Sequence, residues 1–224
     1  MKRQQGRNTL GGNEQTTQWA GEFGKQYTDR NALSPDELDS EYRKRYGITR
    51  TEMNGLLLNE IDPPSSILEV GCNVGNQLVL LQKMGWRELY GIELQNYALK
   101  LLRSRSRTIE VAQGTVSQIP CRSERFDLVF SSGLLIHVHP NDIGAALREL
   151  YRCSRRYISG FEYYADEYSE VSYRGHRSLL WKADFARMYL EEFRDLELIK
   201  EMRFKNADNP SNLDSMFLLE KKPK

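Results

Sequence analysis

One short stretch of the chain combines residue types that suit the binding of a charged ligand. Residues 67–76 read ILEVGCNVGN, with Glu69 in an apolar run and Gly71 and Gly75 in the turn that follows. Glycines permit a tight bend and a close approach of the backbone. Asn73 stands where a dinucleotide-binding enzyme has its second glycine. The free N–H groups at the start of the next helix would still suit a carboxylate.

A second acidic residue, Glu93, follows at the end of a predicted strand, about 20 residues after the turn. At that interval an acidic side chain accepts hydrogen bonds from ribose hydroxyls. Glu69 is placed to face the cationic end of a ligand. A ligand with ribose hydroxyls, a carboxylate, a cation and no phosphate fits these features. S-adenosylmethionine is such a ligand, and we expect it as the cofactor.

The histidines are the candidates for a general base, because histidine titrates near neutral pH. His176 lies in an aromatic segment beside Tyr173 and Arg174, and an arginine there suits a carboxylate or phosphate. We take His176 as a candidate base, with an exposed loop position as the alternative. His137 is the second candidate, with a structural or cofactor-side role as the alternative. Trp181 is either a substrate platform or a core residue.

The N-terminal part contains Phe23, Tyr27 and Arg30 at spacings of three and four, which suit one face of a short helix. One interpretation is a helix that packs on the main domain. The other is a flap that closes over the cofactor, with Tyr27 and Arg30 at its methionine end. Further along, Ser34, Pro35 and Glu37 form a capping-box pattern that predicts the start of a helix.

The composition is typical of a globular protein of one domain. Of the 224 residues, 39% are hydrophobic and 28% charged, and the net charge is +1. This balance argues against nucleic-acid binding. The sequence has no cluster of His, Asp and Glu residues at metal-ligand spacing, so we expect no metal. The N-terminus has no apolar region of a signal peptide and no run is long enough to span a bilayer, so we expect a cytoplasmic protein without a membrane partner.

Strand and helix patterns alternate after residue 65. We predict strands at 66–70, 89–92, 109–112, 126–131 and 157–161, with helices at 75–84, 96–105 and 142–152. A helix at 183–192 and two alternating runs, 196–204 and 215–220, close the chain. This order predicts an α/β fold: a three-layer, Rossmann-like doubly wound sheet, mostly parallel, with a C-terminal antiparallel hairpin.

The domain organisation follows from the same patterns. Residues 1–18 are polar and without period, which indicates a mobile tail. Residues 19–64 are expected to form a helical extension or flap, and residues 65–224 the ligand-binding domain. Within that domain, the aromatic segment 161–182 has little period, which favours a lid or binding loop.

Four motifs in order resemble those of class I S-adenosylmethionine-dependent methyltransferases, over roughly residues 65–160. They are ILEVGCNVGN, LYGIE, QGTVSQIP and FDLVFSSGLLIHV. The resemblance implies a site at the carboxyl ends of the strands. By family position, the implied cofactor-binding residues are Glu69, Gly71, Asn73 and Gly75 near the methionine and ribose, Glu93 and Leu94 at the ribose, Gly114, Thr115 and Val116 at the adenine, and Ser131 and Ser132 near the methyl group.

The flanking segments resemble, more narrowly, methylases found with the biosynthesis of pseudaminic acid, a sugar of bacterial surface glycans. The residues behind this are EFGKQYTDRN at 22–31, YRGH at 173–176 and LWKADF at 180–185. The resemblance implies methylation, first of all of oxygen, on a sugar or nucleotide-linked sugar. Tyr173, Arg174 and Trp181 would then contact this small-molecule acceptor. Methylation of nitrogen, a methyltransferase of RNA or protein, and a non-catalytic cofactor-binding subunit remain alternatives, and the oligomeric state is open.

Overall fold

The computed structural model describes residues 14–61, 66–175 and 177–222. Its helices are α1 (Glu14–Ala20), α2 (Glu22–Arg30), α3 (Pro35–Tyr46), α4 (Arg50–Leu58), α5 (Asn76–Lys83), α6 (Asn96–Arg105), α7 (Ile143–Cys153) and α8 (Phe185–Glu192), with a 3₁₀ turn at Leu135–His137. Its strands are β1 (Ile67–Val70), β2 (Leu89–Glu93), β3 (Glu110–Gln113), β4 (Phe126–Ser132), β5 (Ser154–Tyr164), β6 (Ser169–Glu170), β7 (Trp181–Lys182), β8 (Leu196–Asn206) and β9 (Asn209–Lys221).

Seven strands form one sheet in the order β3-β2-β1-β4-β5-β9-β8. Strands β1 to β5 pair in parallel, and β9 pairs antiparallel with both β5 and β8. Every residue of β1 is buried, as expected of a central strand covered on both faces. The predicted doubly wound, mostly parallel sheet with a C-terminal antiparallel hairpin is confirmed.

The two faces of the sheet carry separate hydrophobic cores, which gives the three-layer arrangement. On one face α4, α5 and α6 contribute Met53, Leu78 and Leu102, all fully or almost fully buried. On the other face α7 and α8 contribute Leu150 and Tyr189, which are equally buried. Because both faces are covered, the carboxyl edge of the parallel strands is the open end of the sheet. In the part of the chain that the structure describes, no helix is long and apolar enough to cross a membrane.

The capping box predicted at the start of α3 is confirmed. Ser34 Oγ accepts from the Glu37 amide, and Glu37 Oε2 accepts from the Ser34 amide. Gly47 ends the helix in the left-handed region with φ of 75°. The start and end of α3 are therefore determined locally, and this determines which of its side chains face the sheet.

The aromatic segment 161–182 differs from the expected lid without regular structure. Its first four residues extend β5, because Phe161 to Tyr164 pair with β9 as far as Leu213. Further on, β6 and β7 form a short antiparallel ladder. His176, one of the two candidate bases, lies outside the described residues.

The predicted tail also differs from the structure where the two can be compared. Residues 1–13 lie outside the described part, while Glu14–Ala20 form α1. The physical reason is Trp19, whose ring packs edge-on against Phe23 and Tyr27 and lies 4.5 Å from the His137 ring. These tertiary contacts stabilise a short helix that the polar sequence does not predict.

Side chains in the turn after β1 and at the start of α5 attach the helical extension to the carboxyl edge of the sheet. Thr28 Oγ1 in α2 donates to Asn73 Oδ1 at 2.9 Å, and Asn76 Nδ2 donates to the Asn31 carbonyl at 2.6 Å. Asn73 has a φ of 48°, in the left-handed region that asparagine tolerates better than most residues. The two asparagines stand at glycine positions of a dinucleotide turn, and both bind the extension.

A double-mutant cycle tests this attachment. We expect Thr28→Val and Asn73→Gly each to lower the free energy of unfolding, because each removes the buried hydrogen bond. The double variant should lose less than the sum of the two, with a coupling of about 0.5–1.5 kcal/mol. Urea denaturation of the four proteins gives the coupling, and strictly additive losses would mean that the bond does not hold α2 on the turn.

Candidate functional site

The carboxyl ends of β1, β2 and β4 open on a cavity of about 1050 Å³ between the sheet and the helices α1 to α3. Pockets for one drug-sized ligand usually measure roughly 300–1000 Å³. The cavity therefore has room for a cofactor and a second small molecule. It lies where open α/β sheets bind their ligands, at the carboxyl edge on both sides of the first strand.

The turn after β1 forms one wall of this cavity. The amides of Gly71 and Cys72 donate to the Ile92 carbonyl at 2.8 and 3.0 Å, which ties the turn to β2. Gly71 has a φ of 73°, and a Cβ there would lie 2.7 Å from the Leu134 side chain. Gly71 and Asn73 line the cavity as predicted, whereas Gly75 does not. Gly75 has a φ of 72°, and a Cβ there would lie 2.6 Å from the Leu102 side chain of α6, so a glycine permits this turn.

Glu69 brings a buried carboxylate to the cavity. The side chain is 3% exposed, and Oε2 has no hydrogen-bond partner among the described residues. Burial raises the pKa of Glu69 well above its usual range, and the opposing charge of Arg50 offsets part of this effect. Gln77 in α5 adds a second buried oxygen, Oε1, that also lacks a described partner. Two unsatisfied acceptors in one wall fit a ligand with a cationic donor.

Glu93 ends β2 with both of its oxygens already bound to the backbone. Oε2 accepts from the Asn73 amide at 2.9 Å and Oε1 from the Gln95 amide at 2.8 Å. Burial raises the pKa of Glu93, and these amide hydrogen bonds oppose the rise. A carboxylate has about four acceptor positions, so Glu93 keeps capacity for two further donors. Two adjacent hydroxyls of a ribose match that capacity.

The loop after β3 forms the far end of the cavity. Gly114, Thr115 and Val116 line it as predicted, next to Leu94. The Gly114 amide donates to the Glu93 carbonyl at 3.1 Å, which positions the loop beside the end of β2. The Thr115 hydroxyl lies 3.2 Å from that of Ser117, in the same loop. This end therefore presents the apolar side chains of Leu94 and Val116 together with small polar groups, a surface that suits a planar base.

Of the two serines that end β4, only Ser132 lines the cavity. Ser131 is 1% exposed, and its hydroxyl donates to Glu162 Oε1 at 2.8 Å. Successive side chains of a strand point to opposite faces, and this sends Ser131 away from the cavity. The structure therefore does not place Ser131 at the cavity, and the Ser131 hydroxyl instead joins β4 to Glu162 of β5.

His137 lines the cavity in a single protonation state. Its Nδ1 lies 2.7 Å from the Leu179 carbonyl, and because a carbonyl only accepts, Nδ1 carries the proton. The other ring nitrogen, Nε2, then has a free lone pair. Burial lowers the pKa of His137 to about 4, opposed by the hydrogen bond to Leu179. The ring is therefore a neutral hydrogen-bond acceptor at physiological pH.

The predicted acceptor contacts separate into two groups. Tyr173 and Arg174 line the cavity, and the Tyr173 ring lies 5.4 Å from that of His137. Trp181 is 4% exposed and packs in the core, with its ring 5.4 Å from that of His139. Trp181 does not line the cavity, and its buried position agrees with the core alternative rather than with the substrate platform.

The N-terminal helices cover the cavity. Tyr27 and Arg30 of α2 line it as predicted, together with Trp19 of α1. Gln95 Nε2, after β2, donates to the Trp19 carbonyl at 2.6 Å, and Gln15 Nε2 donates to the His137 carbonyl at 2.6 Å. The helices thus span from the end of β2 to the segment that follows β4.

Sequence reasoning missed a set of cavity residues on α3 and β5. They are Tyr42, Arg45, Tyr46, Phe161 and Tyr163. Leu38, Tyr42 and Arg45 follow the i, i+4, i+7 spacing of one helix face, and this was the available signal. The spacing alone does not show that the face covers the end of a sheet more than 100 residues away. That relation depends on tertiary packing.

Residues 68–156 match the sequence profile of a family described as a methyltransferase domain. The match spans β1 to the first residues of β5 and includes the turn, Glu93 and His137. No curated protein matches the chain. The sequence similarity therefore covers the part of the cavity formed by β1 to β4 and their loops, and the N-terminal helices lie outside it.

Solved structures share the fold over most of the chain. A protein of Pyrococcus horikoshii OT3 has a TM-score of 0.65 at 14% identity, over 88% of this chain and 95% of its own. The 1,6-didemethyltoxoflavin-N1-methyltransferase of Burkholderia thailandensis, solved with S-adenosylhomocysteine bound, has a TM-score of 0.64 at 15% identity, over 91% and 92%. An S-adenosylmethionine-dependent methyltransferase of Listeria monocytogenes, described as putative, has a TM-score of 0.58 at 12% identity, over 74% and 96%. The chain thus has the Rossmann-like fold of S-adenosylmethionine-dependent methyltransferases, and its residues 68–156 resemble a methyltransferase domain.

Proposed function

We propose that this protein is a cytoplasmic S-adenosylmethionine-dependent methyltransferase that acts on a small polar metabolite. Its reaction is methylation of an oxygen of a sugar or nucleotide-linked sugar in the biosynthesis of a surface glycan. The cofactor assignment rests on two carboxylates at the carboxyl edge of the sheet. Glu69 is buried with an unpartnered oxygen, and Glu93 is half-buried with two free acceptor positions. The profile match over residues 68–156 supports the same reaction class.

In this proposal each carboxylate binds a different part of the cofactor. Glu69 Oε2 accepts from the ammonium of the methionine part, and that contact favours the ionised form that burial disfavours. Glu93 accepts from the two ribose hydroxyls. Thr115 and Val116 flank the adenine, and Ser132 lies towards the methyl group. The bound cofactor supplies an electrophilic methyl on a sulfonium.

The remaining chemistry is positioning and proton acceptance. Displacement at the methyl carbon needs the attacking oxygen in line and close, and an enclosed cavity can supply this placement. His137 Nε2 accepts the hydrogen bond of the acceptor hydroxyl and orients its lone pair towards the methyl group. With a pKa of about 4, His137 is a weak base that is always available in its neutral form. His176 remains a proposed second base.

A small acceptor is favoured by the cover that α1 and α2 form over the carboxyl edge. Their contacts with Gln95 and with the His137 carbonyl connect the two sides of the cavity. A nucleic-acid or protein acceptor would have to displace these helices, and the net charge of +1 offers no general attraction for a polyanion.

Calorimetric titration with S-adenosylhomocysteine tests the cofactor assignment. We expect Glu93→Ala to weaken binding on the order of 10- to 100-fold, because it removes charged acceptors for two hydroxyls. Glu93→Gln should be intermediate while it preserves packing. The matched control is Glu88→Ala, an exposed carboxylate before β2, at the opposite edge of the sheet. Equal affinity of the Glu93 and Glu88 variants would contradict the assignment.

The state of His137 gives a second, acceptor-independent test. Nitrogen-detected NMR of the histidine rings should show Nδ1 protonated and Nε2 bare from pH 8 down to about 5. Stability should fall as pH drops from about 6.5 to about 4, because the unfolded state takes up the proton first. His137→Gln should abolish this contribution. A His137 ring that titrates near 6.5 would remove the neutral-acceptor role.

A further inference from the structure

Four tyrosine side chains line the cavity with hydroxyls that have no hydrogen-bond partner in the described part of the chain. They are Tyr27, Tyr42, Tyr163 and Tyr173. Burial, followed by the facing phenols of Tyr173, Tyr163 and Tyr42, raises the pKa of Tyr27. All four side chains line the same cavity, so they share one space. Tyr27 belongs to α2, whose Thr28 donates to Asn73 in the turn after β1, so Tyr27 lies on the cofactor side of that space.

Most of the other tyrosines have a hydroxyl with a hydrogen-bond partner within the protein. Six of them have a hydroxyl within hydrogen-bond distance of a protein acceptor. These pairs are Tyr46 with Asp214, Tyr90 with Glu88, Tyr97 with Asp29, Tyr151 with Asp195, Tyr164 with Asp166 and Tyr168 with the Val138 carbonyl, at 2.6–3.1 Å. Tyr189, in the core, is an exception. Hydroxyls that line one cavity and have no protein partner are available to a ligand.

Arg45 adds a positive charge to the same space. Its Nε lies 3.8 Å from the exposed Asp208 carboxylate, beyond hydrogen-bond distance, and no other described carboxylate lies within 4.0 Å. The buried Asp214 carboxylate is also near, but it accepts from the Tyr46 hydroxyl at 2.7 Å. Several arginines away from the cavity form closer ion pairs, such as Arg148 with Glu192 at 2.8 Å and Arg43 with Glu52 at 3.0 Å. The guanidinium of Arg45 thus retains donors for a ligand anion.

We propose that Tyr42, Tyr163, Tyr173 and Arg45 form the binding site of the methyl acceptor. The acceptor is a polyhydroxylated small molecule with one carboxylate or phosphate. The inference rests on the proposed function, since the cofactor is assigned to the other end of the cavity. Phenol hydroxyls both donate and accept, so three of them match a ligand with several hydroxyls. The Arg45 fork pairs with the anion, and the ring of Phe161 gives the site an apolar wall.

The free protein provides a first test that requires no acceptor. Tyr42→Phe and Tyr163→Phe should leave the midpoint of urea denaturation unchanged or raise it, because neither hydroxyl has a protein partner to lose. Tyr151→Phe is the matched control, since its hydroxyl donates to Asp195 at 2.7 Å far from the cavity, and it should lower the midpoint. A loss in the cavity variants equal to that in Tyr151→Phe would overturn the inference.

The second test measures probe binding to protein saturated with S-adenosylhomocysteine. The probes are glucose 6-phosphate against glucose, and N-acetylneuraminate against its neutral methyl ester, each followed by saturation-transfer NMR. We expect at least one anionic probe to bind about tenfold or more tightly than its neutral counterpart. Arg45→Gln should abolish this preference and Arg45→Lys should restore part of it. Tyr163→Phe should weaken both members of the pair, and Tyr151→Phe neither.

Two results would contradict the acceptor site while leaving the proposed function intact. One is the absence of any anionic preference in protein that binds S-adenosylhomocysteine normally. The other is a preference that survives Arg45→Gln. Failure to bind S-adenosylhomocysteine at all would instead contradict the proposed function, and the acceptor site with it. The titration of each variant with S-adenosylhomocysteine therefore belongs to the same experiment.

Discussion

The structure depends on the burial of carboxylates at the carboxyl edge of the sheet. Glu69, Glu93 and Glu162 occupy this edge or the strand beside it, and each is at most partly accessible. A buried carboxylate costs several kcal/mol unless donors surround it. Loop amides donate hydrogen bonds to these carboxylates and offset this cost, and the same bonds fix the loops that shape the cavity. Fold and site are therefore linked by the same hydrogen bonds.

Two of the three carboxylates are satisfied by the protein. Glu93 orders the turn after β1 and the start of the loop after β2. Glu162, whose pKa burial raises to about 7, accepts from the Ser131 hydroxyl and from the amides of Leu134 and Ile136. It thereby fixes the segment that carries His137. Glu69 differs, because one of its oxygens has no described partner. The chain retains this cost at a position where a cationic ligand would remove it.

The same turn also explains the departures from a glycine-rich pattern. The Asn73 amide donates to Glu93, and the Asn73 side chain accepts from Thr28. One residue therefore connects the Glu93 carboxylate to the covering helix α2. A glycine there would keep the turn and lose the connection. Asn76 has the same double function, accepting from Arg105 while it donates to Asn31. Closure of the cavity is thus built into the cofactor turn.

Much of the central fold could be predicted, because each strand and helix there carries its own apolar period and its own end signals. The positions of Glu69, Glu93 and His137 follow from strand ends, and all three line the cavity. Which residues of a motif line the cavity was harder to predict from the sequence. Ser131 and Gly75 belong to the predicted motifs but do not line the cavity. The Ser131 hydroxyl is bonded to Glu162, and Gly75 packs closely against Leu102. The cavity wall on α3 was missed because Tyr42 and Arg45 come from a helix whose contact with β5 is purely tertiary.

A crystal structure of the protein with S-adenosylhomocysteine would test the central claim most directly. The account predicts the ligand amino group about 3 Å from Glu69 Oε2, with the ribose hydroxyls on Glu93 and the covering helices in place. An amino group bound elsewhere, with Glu69 Oε2 still lacking a partner, would contradict it.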